Sequence, residues 1–288
     1  MNHFKEKAMK CVFLIAACTS VLAVFLICAF LFANGVPAIG KIGPLKFLLG
    51  TKWKPSNDIF GILPMIVASI YVTAGAILLG VPIALFTSVF MARYCPKKIY
   101  RPLKSGIELM AGVPSIVYGF FGLTIIVPFL QNTFNLPVGE SGLAGSIVLA
   151  IMALPTIITV AEDAMRSCPR SMREASLALG ATQWQTIYKV VIPFSMSGIT
   201  SGVVLGIGRA IGETMAVLMV TGNAAVMPTS ILEPLRTIPA TIAAELGEAP
   251  AGGAHYQALF LLGVILFFIT LIINSCVEIV SARNKLKK

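Results

Sequence analysis

Apolar residues run in long, uncharged blocks along this chain, and those blocks predict its elements. No Asp, Glu, Lys or Arg occurs between Lys10 and Lys41, between Asp58 and Arg93, between Glu108 and Glu140, or between Glu248 and Glu278. Each block exceeds the roughly 20 residues that a helix needs to cross a bilayer core of about 30 Å. In hydrocarbon every backbone N–H and C=O must be paired internally, so blocks of this length read as helices. Six spans follow: about 12–33, 59–92, 106–130, 143–162, 199–221 and 257–279. The second block is too long for one upright helix and too short for two, and it predicts one tilted helix kinked near Gly80 and Pro82. The fold class is all-α, a polytopic membrane protein. Residues 1–58 form an N-terminal span with its outer segment, 59–281 the main transmembrane domain, and 282–288 a basic tail. No internal repeat or low-complexity tract appears.

Composition agrees, with 57% apolar and 12% charged residues. A net charge of +10 raises nucleic acid as a partner, but the placement of the cations removes that reading. With the N-terminus inside, Lys5, Lys7, Lys10, Arg93, Lys97, Lys98, Arg101, Lys104, Arg166, Arg170, Arg173, Lys189, Arg283, Lys285, Lys287 and Lys288 all fall on the cytoplasmic side. Lys41, Lys46, Lys52, Lys54 and Arg236 fall outside, and Arg209 lies within a span. This is the positive-inside bias, and it puts both termini in the cytoplasm. The opening basic residues and apolar run resemble a signal peptide, but Val12 to Ala33 is too long for one and reads as an uncleaved span. Cys11, Cys18, Cys28, Cys95, Cys168 and Cys276 map to spans or the inner face, so no disulfide framework is expected. His3 and His255 are isolated, and no metal-ligand spacing or nucleophile–base constellation is present. Glu108 is expected to pair with Lys104 one turn earlier.

Between spans four and five lies a polar inner segment, 164–193. Pro169 suits the first turn of a short helix. Arg170 to Leu179 continues it, and Gly180 fits the left-handed residue that ends it. Thr182 then caps a second short helix that runs through Lys189 and stops before Pro193. Met172, Ala175 and Leu179 share one face. Two readings stand on these features alone: a knob for a soluble partner, or a helix pair lying on the bilayer.

Span five contains Gly206-Ile207-Gly208-Arg209-Ala210-Ile211-Gly212-Glu213-Thr214. Arg209 falls about ten residues into the predicted span, near the midplane at about 1.5 Å per residue. A charge there needs a partner or an aqueous path. Glu213 follows at i+4 on the same predicted helix face. The pair is either a structural staple between helices or a fixed positive site, tempered by Glu213, for an anion in transit. Gly202-x3-Gly206 and Gly208-x3-Gly212 are candidate helix-packing glycines.

Glu174-Ala175-Ser176, three residues, Gly180, nine residues, then Val190-Val191-Ile192-Pro193 resembles the E-A-A-x3-G-x9-I-x-L-P signature of binding-protein-dependent ABC importer permeases. Ser176, Val190 and Ile192 depart from it conservatively. The resemblance implies a MetI-like permease core in a bacterial inner membrane, with Glu174, Ala175 and Gly180 docking on a separate ATPase. Gly112-Val113-Pro114-Ser115-Ile116-Val117-Tyr118-Gly119, the Gly208 to Val217 stretch, and Trp53-Lys54-Pro55 with Asn57-Asp58 and Phe60-Gly61 resemble the PstC-type permeases of phosphate importers. That similarity implies Arg209 and Glu213 as the charged residues of the anion path. It also implies a PstA-like second permease, a PstB-like ATPase dimer carrying ATP and Mg, and a PstS-like phosphate-binding protein outside. No G-x4-G-K-[ST] loop occurs in the chain, so it holds no nucleotide cofactor of its own. A permease for sulfate or molybdate fits the same scaffold. A self-sufficient secondary transporter needs inverted repeats or broken helices, and the sequence pattern shows neither.

Overall fold

The computed structural model describes residues 2–286, with side chains described for residues 6–275. His3, Lys5, Cys276, Arg283, Lys285, Lys287 and Lys288, used above, lie outside the described side chains. The chain is almost entirely helical. The elements are α1 (Asn2–Ile42), α2 (Pro44–Leu49), β1 (Trp53–Lys54), β2 (Ile59–Phe60), α3 (Leu63–Val89), α4 (Lys97–Gly112), α5 (Ser115–Phe121), α6 (Val127–Phe134), α7 (Gly142–Arg166), α8 (Arg170–Ala178), α9 (Gln183–Thr186), α10 (Ile192–Gly212), α11 (Met215–Val220), α12 (Ile238–Glu245) and α13 (Ala254–Leu286). π-helical turns at Phe90–Tyr94, Gly122–Ile126 and Ile187–Val191 prolong α3, join α5 to α6 and join α9 to α10. Among the described residues six helices are long and apolar enough to cross a membrane.

Several boundaries differ from the sequence expectation. The first helix does not stop at residue 33 but runs through Pro37 to Ile42. Its end lies so close to α13 that a Cβ at Gly35 would sit 3.0 Å from the Leu261 nitrogen. The second span is one helix, as loop charge required, and it carries Pro82 inside it. The third span begins at Ser115 rather than 106. Pro114 holds Val113 extended (φ −69°, ψ 129°), because an X-Pro step disfavours the helical region for the preceding residue. What precedes the break, α4, is a separate amphipathic helix with mostly exposed residues. The fifth span stops at Gly212, and the last helix runs without a boundary at 281 to Leu286.

The core is built on α7, packed between α3 and α10. On α3, Ala68, Val72, Ala76, Gly80, Ala84 and Ser88 recur every four residues and are all buried. On α10, Gly198, Gly202, Gly206 and Ala210 repeat the same spacing. A Cβ at Gly75 would lie 2.4 Å from Ser146 Oγ, and one at Gly198 would lie 2.3 Å from the Ala164 Cβ. Lipid tails are as apolar as leucine, so helices associate in a membrane through close van der Waals packing, which small residues permit. Ser146 Oγ donates to the Val72 carbonyl (3.2 Å) and Ser195 Oγ to that of Ala164 (2.9 Å), adding a polar link on each side of α7.

At one end of the bundle Glu162 is fully buried. It accepts from Lys104 Nζ (3.0 Å) and Arg166 Nε (2.6 Å) and is bonded by Tyr100. Lys104 therefore faces Glu162, with Asp163 at 3.8 Å, and not Glu108, which is exposed and forms no salt bridge among the described residues. A buried carboxylate must be paired, whereas an exposed one is satisfied by water. Burial opposes the Lys104 ammonium, but its hydrogen bond to Glu162 and the carboxylate charge outweigh this and hold its pKa above the ordinary lysine value. Burial, then Glu162, pushes the Tyr100 hydroxyl upward too. Both folded pKa values are raised, so the stability they contribute is complete below the ordinary values and is lost only as pH climbs through the raised ones.

At the other end, Trp53 pairs with Phe60 across the β1–β2 hairpin. Glu245 accepts from Trp53 Nε1 (2.9 Å) and Arg236 Nη1 (2.5 Å), and its Oε2 lies 2.9 Å from His255 Nε2. His255, isolated in sequence, is thus one partner in a polar cluster that ties the hairpin, α12 and α13 together.

Glu162→Ala leaves Lys104 and Arg166 facing an empty buried site, and a loss of about 3 kcal/mol is expected from breaking such a cluster. Thermal unfolding of the detergent-purified protein checks this. An unchanged midpoint would mean that the cluster adds nothing to stability.

Candidate functional site

The segment between α7 and α10 forms a rigid elbow from local chemistry. Pro169 stands extended before α8. Gly180 adopts φ +82° with open space around it, so it is backbone conformation and not packing that calls for glycine there. Gly180 N–H donates to Leu177 O (3.0 Å) and Ala181 N–H to Ser176 O (3.2 Å), the paired bonds of a Schellman cap. Thr182 Oγ1 accepts from Gln185 N–H (3.2 Å), and Gln185 Oε1 from Thr182 N–H (2.9 Å), a reciprocal capping box. Ser176 Oγ lies 3.0 Å from Thr186 Oγ1 and fastens the two arms together.

No residue of α8 is buried. Glu174 and Ala175 stand exposed on it, and with Met172 (42% exposed) and Leu179 (89%) the helix presents an uncovered, partly apolar face. The second arm does not stop at Lys189. From Gln183 to Gly212 the chain is continuously helical. Pro193 lies inside this continuous helix, directly after the π-helical turn at Ile187–Val191, whose wider ladder accommodates the bond that its missing N–H removes.

At the far end of that helix lies Arg209, half-buried in the last turn of α10. The helix stops at Gly212 and Glu213 is extended (φ −70°, ψ 132°). Glu213 is therefore not on the helix face of Arg209, and no salt bridge joins the two among the described residues. Each charge is met by backbone instead. Arg209 sits at a helix C-terminus, the end that favours a cation. Glu213 Oε1 accepts from Ala216 N–H (3.4 Å) in the first turn of α11.

The break at 213–214 faces the break at 113–114. A Cβ at Gly119 would lie 2.9 Å from Met219 Sδ and 3.0 Å from Ala216 Cα, and one at Gly122 would lie 2.8 Å from Val220 Cγ1. The helices that follow the two breaks thus touch. Tyr118 spans its own break by donating to Met110 O (2.8 Å) and lies within the field of Arg209. An open cavity of about 570 Å³, lined by Gly212, Thr214, Pro239 and Leu246 among others, reaches the break; neither Arg209 nor Glu213 lines it. Among the described residues the region holds a half-buried cation beside interrupted backbone and no carboxylate in salt-bridge contact with it, an arrangement that can meet an anion.

The candidate packing glycines divide. A Cβ at Gly202 would lie 3.1 Å from Val160 Cβ, and one at Gly206 2.6 Å from Ile157 Cγ1. One at Gly208 would meet only Asn274 Oδ1, at 3.6 Å, and one at Gly212 nothing within 4 Å. Sequence reasoning missed Gly198, Gly119 and Gly122, where an added Cβ would likewise come within 3.0 Å of a neighbouring helix. It also missed both breaks, although Val113-Pro114 was a signal for the first.

The family model for the binding-protein-dependent transport system inner membrane component matches residues 80–286. The probable ABC transporter permease protein YqgH of Bacillus subtilis is 39% identical, covering 86% of this chain and 81% of that protein. The phosphate transport system permease proteins PstC of Mesorhizobium japonicum and Pasteurella multocida are 38% and 35% identical, each covering 84% of this chain. They are covered over 80% and 81% of their own lengths. In fold, the chain is similar to an inward-facing MetNI methionine ABC transporter chain, with a TM-score of 0.60 and 18% identity over 81% of this chain and 99% of that one. A bacterial ABC transporter for the acidic polysaccharide alginate gives a TM-score of 0.59 at 14% identity over 92% and 98%. The chain therefore belongs to the family of binding-protein-dependent transport system inner membrane components, multi-pass permease subunits of ABC transporters.

Proposed function

We propose that this chain is one permease half of an ABC importer for inorganic phosphate. Its similarity to phosphate transport system permease proteins PstC across most of its length carries the substrate assignment. The site adds chemical support: Arg209, half-buried at a helix break and unpaired with Glu213, offers a planar fork of donors to an oxyanion. Its affinity has to stay modest, because a site that holds its ion tightly does not conduct.

The positive-inside bias supports an orientation with both termini and the elbow in the cytoplasm. A PstB-like ATPase dimer, holding ATP and Mg, docks on the exposed face around Glu174, Ala175 and Gly180. Its closure pushes the elbow, and α10 carries that motion to Arg209 and turns the path from inward-open to outward-open. A PstA-like second permease completes the path, and a PstS-like binding protein delivers phosphate to the loops at the other end. Arg209 offsets the charge of the dehydrated anion, and Glu213 limits how tightly it is held.

Reconstituted with its partners, the importer is expected to show ATP hydrolysis stimulated by phosphate-loaded binding protein and not by sulfate or molybdate. Stimulation by sulfate or molybdate instead would reassign the substrate to another oxyanion. Arg209→Gln is expected to lower phosphate uptake about tenfold or more, the scale of one lost charged hydrogen bond, while the complex still assembles. Equal loss of assembly would make Arg209 a structural staple. Because no residue of α8 is buried, Glu174→Lys is expected to leave the membrane bundle intact while reducing phosphate-coupled ATP hydrolysis. Unchanged coupling would remove α8 from the ATPase interface.

A further inference from the structure

At the end of the second span the chain turns sharply from α3 into α4, and the turn encloses an open cleft of about 690 Å³. Arg93, Lys97, Lys98, Arg101 and Arg166 line it, and no carboxylate does. Among the described residues, Arg166 is the one of these five cations in a salt bridge: it reaches Glu162, donates to Met91 O (3.0 Å) and stacks on Tyr100 at 4.1 Å. Arg93 spends one Nη on the Met165 carbonyl, but its Nε is buried with no hydrogen-bond partner. Lys97, Lys98 and Arg101 form no salt bridge among the described residues.

The local sequence opposes its own structure here. Lys97 and Lys98 occupy the first turn of α4, a 16-residue helix with no acidic residue in that turn and no side-chain cap. A helix N-terminus carries partial positive charge and favours anions, so two lysines there repel it. Clustered cations without carboxylates and an uncapped N-terminus are two separate deficits. One anion bound in the cleft answers both.

We propose that this cleft binds a phosphate group, supplied by the headgroup of an acidic membrane phospholipid. Arginine forks and backbone N–H groups at a helix start both suit phosphate oxygens. The membrane is the favoured source because Phe86 (73% exposed) and Phe90 (42% exposed) stand on the helix that leads into the cleft, where acyl chains can lie against them. Under the orientation proposed above the cleft opens to the cytoplasmic leaflet, where basic pockets between membrane helices meet anionic headgroups. The site is distinct from Arg209 and does not depend on which anion the importer carries.

The test is native mass spectrometry of the detergent-purified importer exposed to phosphatidylglycerol or phosphatidylcholine. Phosphatidylglycerol is expected to be retained in preference, and the variant Lys97→Gln, Lys98→Gln, Arg101→Gln to retain about a hundredfold less, given three cations removed from an anionic headgroup. These three residues are exposed, so the variant folds as the parent does. Lys54→Gln, on the hairpin at the other end of the bundle, is expected to change nothing. A parallel arm measures inorganic phosphate binding in the same variants and in Arg209→Gln. Binding lost in the triple variant but kept in Arg209→Gln would support the phosphate site and overturn its lipid source. Equal retention of both lipids, with phosphate binding unaffected by the triple variant, would overturn the proposal.

Discussion

Close approach of α3 and α10 to α7 is the contact on which the rest of this molecule depends. In hydrocarbon there is little to gain by moving leucine from lipid to protein, so helix association rests on how many atoms come within van der Waals range. Stripes of Ala, Gly and Ser every four residues bring the backbones near enough for that. Once α7 is gripped on both sides, the shorter helices take their places from it. Gly122 packs on Val148 of α7 and on Val220 of α11, so the helices after both breaks are fixed to the same post.

Charge is arranged around this apolar frame according to depth. Glu162 is the one carboxylate among the described residues that is fully buried, and it is surrounded by a lysine, an arginine and a tyrosine. Its partners come from α4 and α7, so the ionic cluster also anchors an amphipathic helix that would otherwise have only its apolar face to hold it. Arg209 and Glu213 are treated differently. They are half-buried, and helix termini rather than one another balance them. A charge balanced by backbone dipoles keeps its valence available to a passing ion. A charge locked in a salt bridge does not.

The parts of this architecture that were legible in the sequence are those whose cause is local. Uncharged blocks mark the spans, and the five cations after Ala92 settle that the second block is one helix. The elbow could be read residue by residue because Pro169, Gly180 and Thr182 each favour one backbone conformation. Where the cause is distant, the sequence is mute. Lys104 has Glu108 one turn away, yet it chooses Glu162, 58 positions along the chain. Prolines misled in both directions. Pro37, Pro82 and Pro193 sit within helices, because neighbouring groups and π-helical turns absorb the missing donor. Pro114, inside an equally apolar block, ends one. The second break had no proline at all: Gly212, Glu213 and Thr214 read as helix because Arg209 and Glu213 have helical spacing, and only the packing of α11 on α5 reveals that the chain has let go.

From Gln183 to Gly212 the polypeptide is helical without a gap, a strut of about 45 Å at 1.5 Å per residue. Its lower end is bolted to the capping box at Thr182 and its upper end carries Arg209. Above Pro193 no proline or π-helical turn interrupts it as far as Gly212. The π-helical turn at Ile187–Val191 gives a little torsional slack near the base. On the docking proposed above, a shove of a few ångströms at the bottom would reach the guanidinium as a shove of comparable size, in the way a pushrod moves a valve.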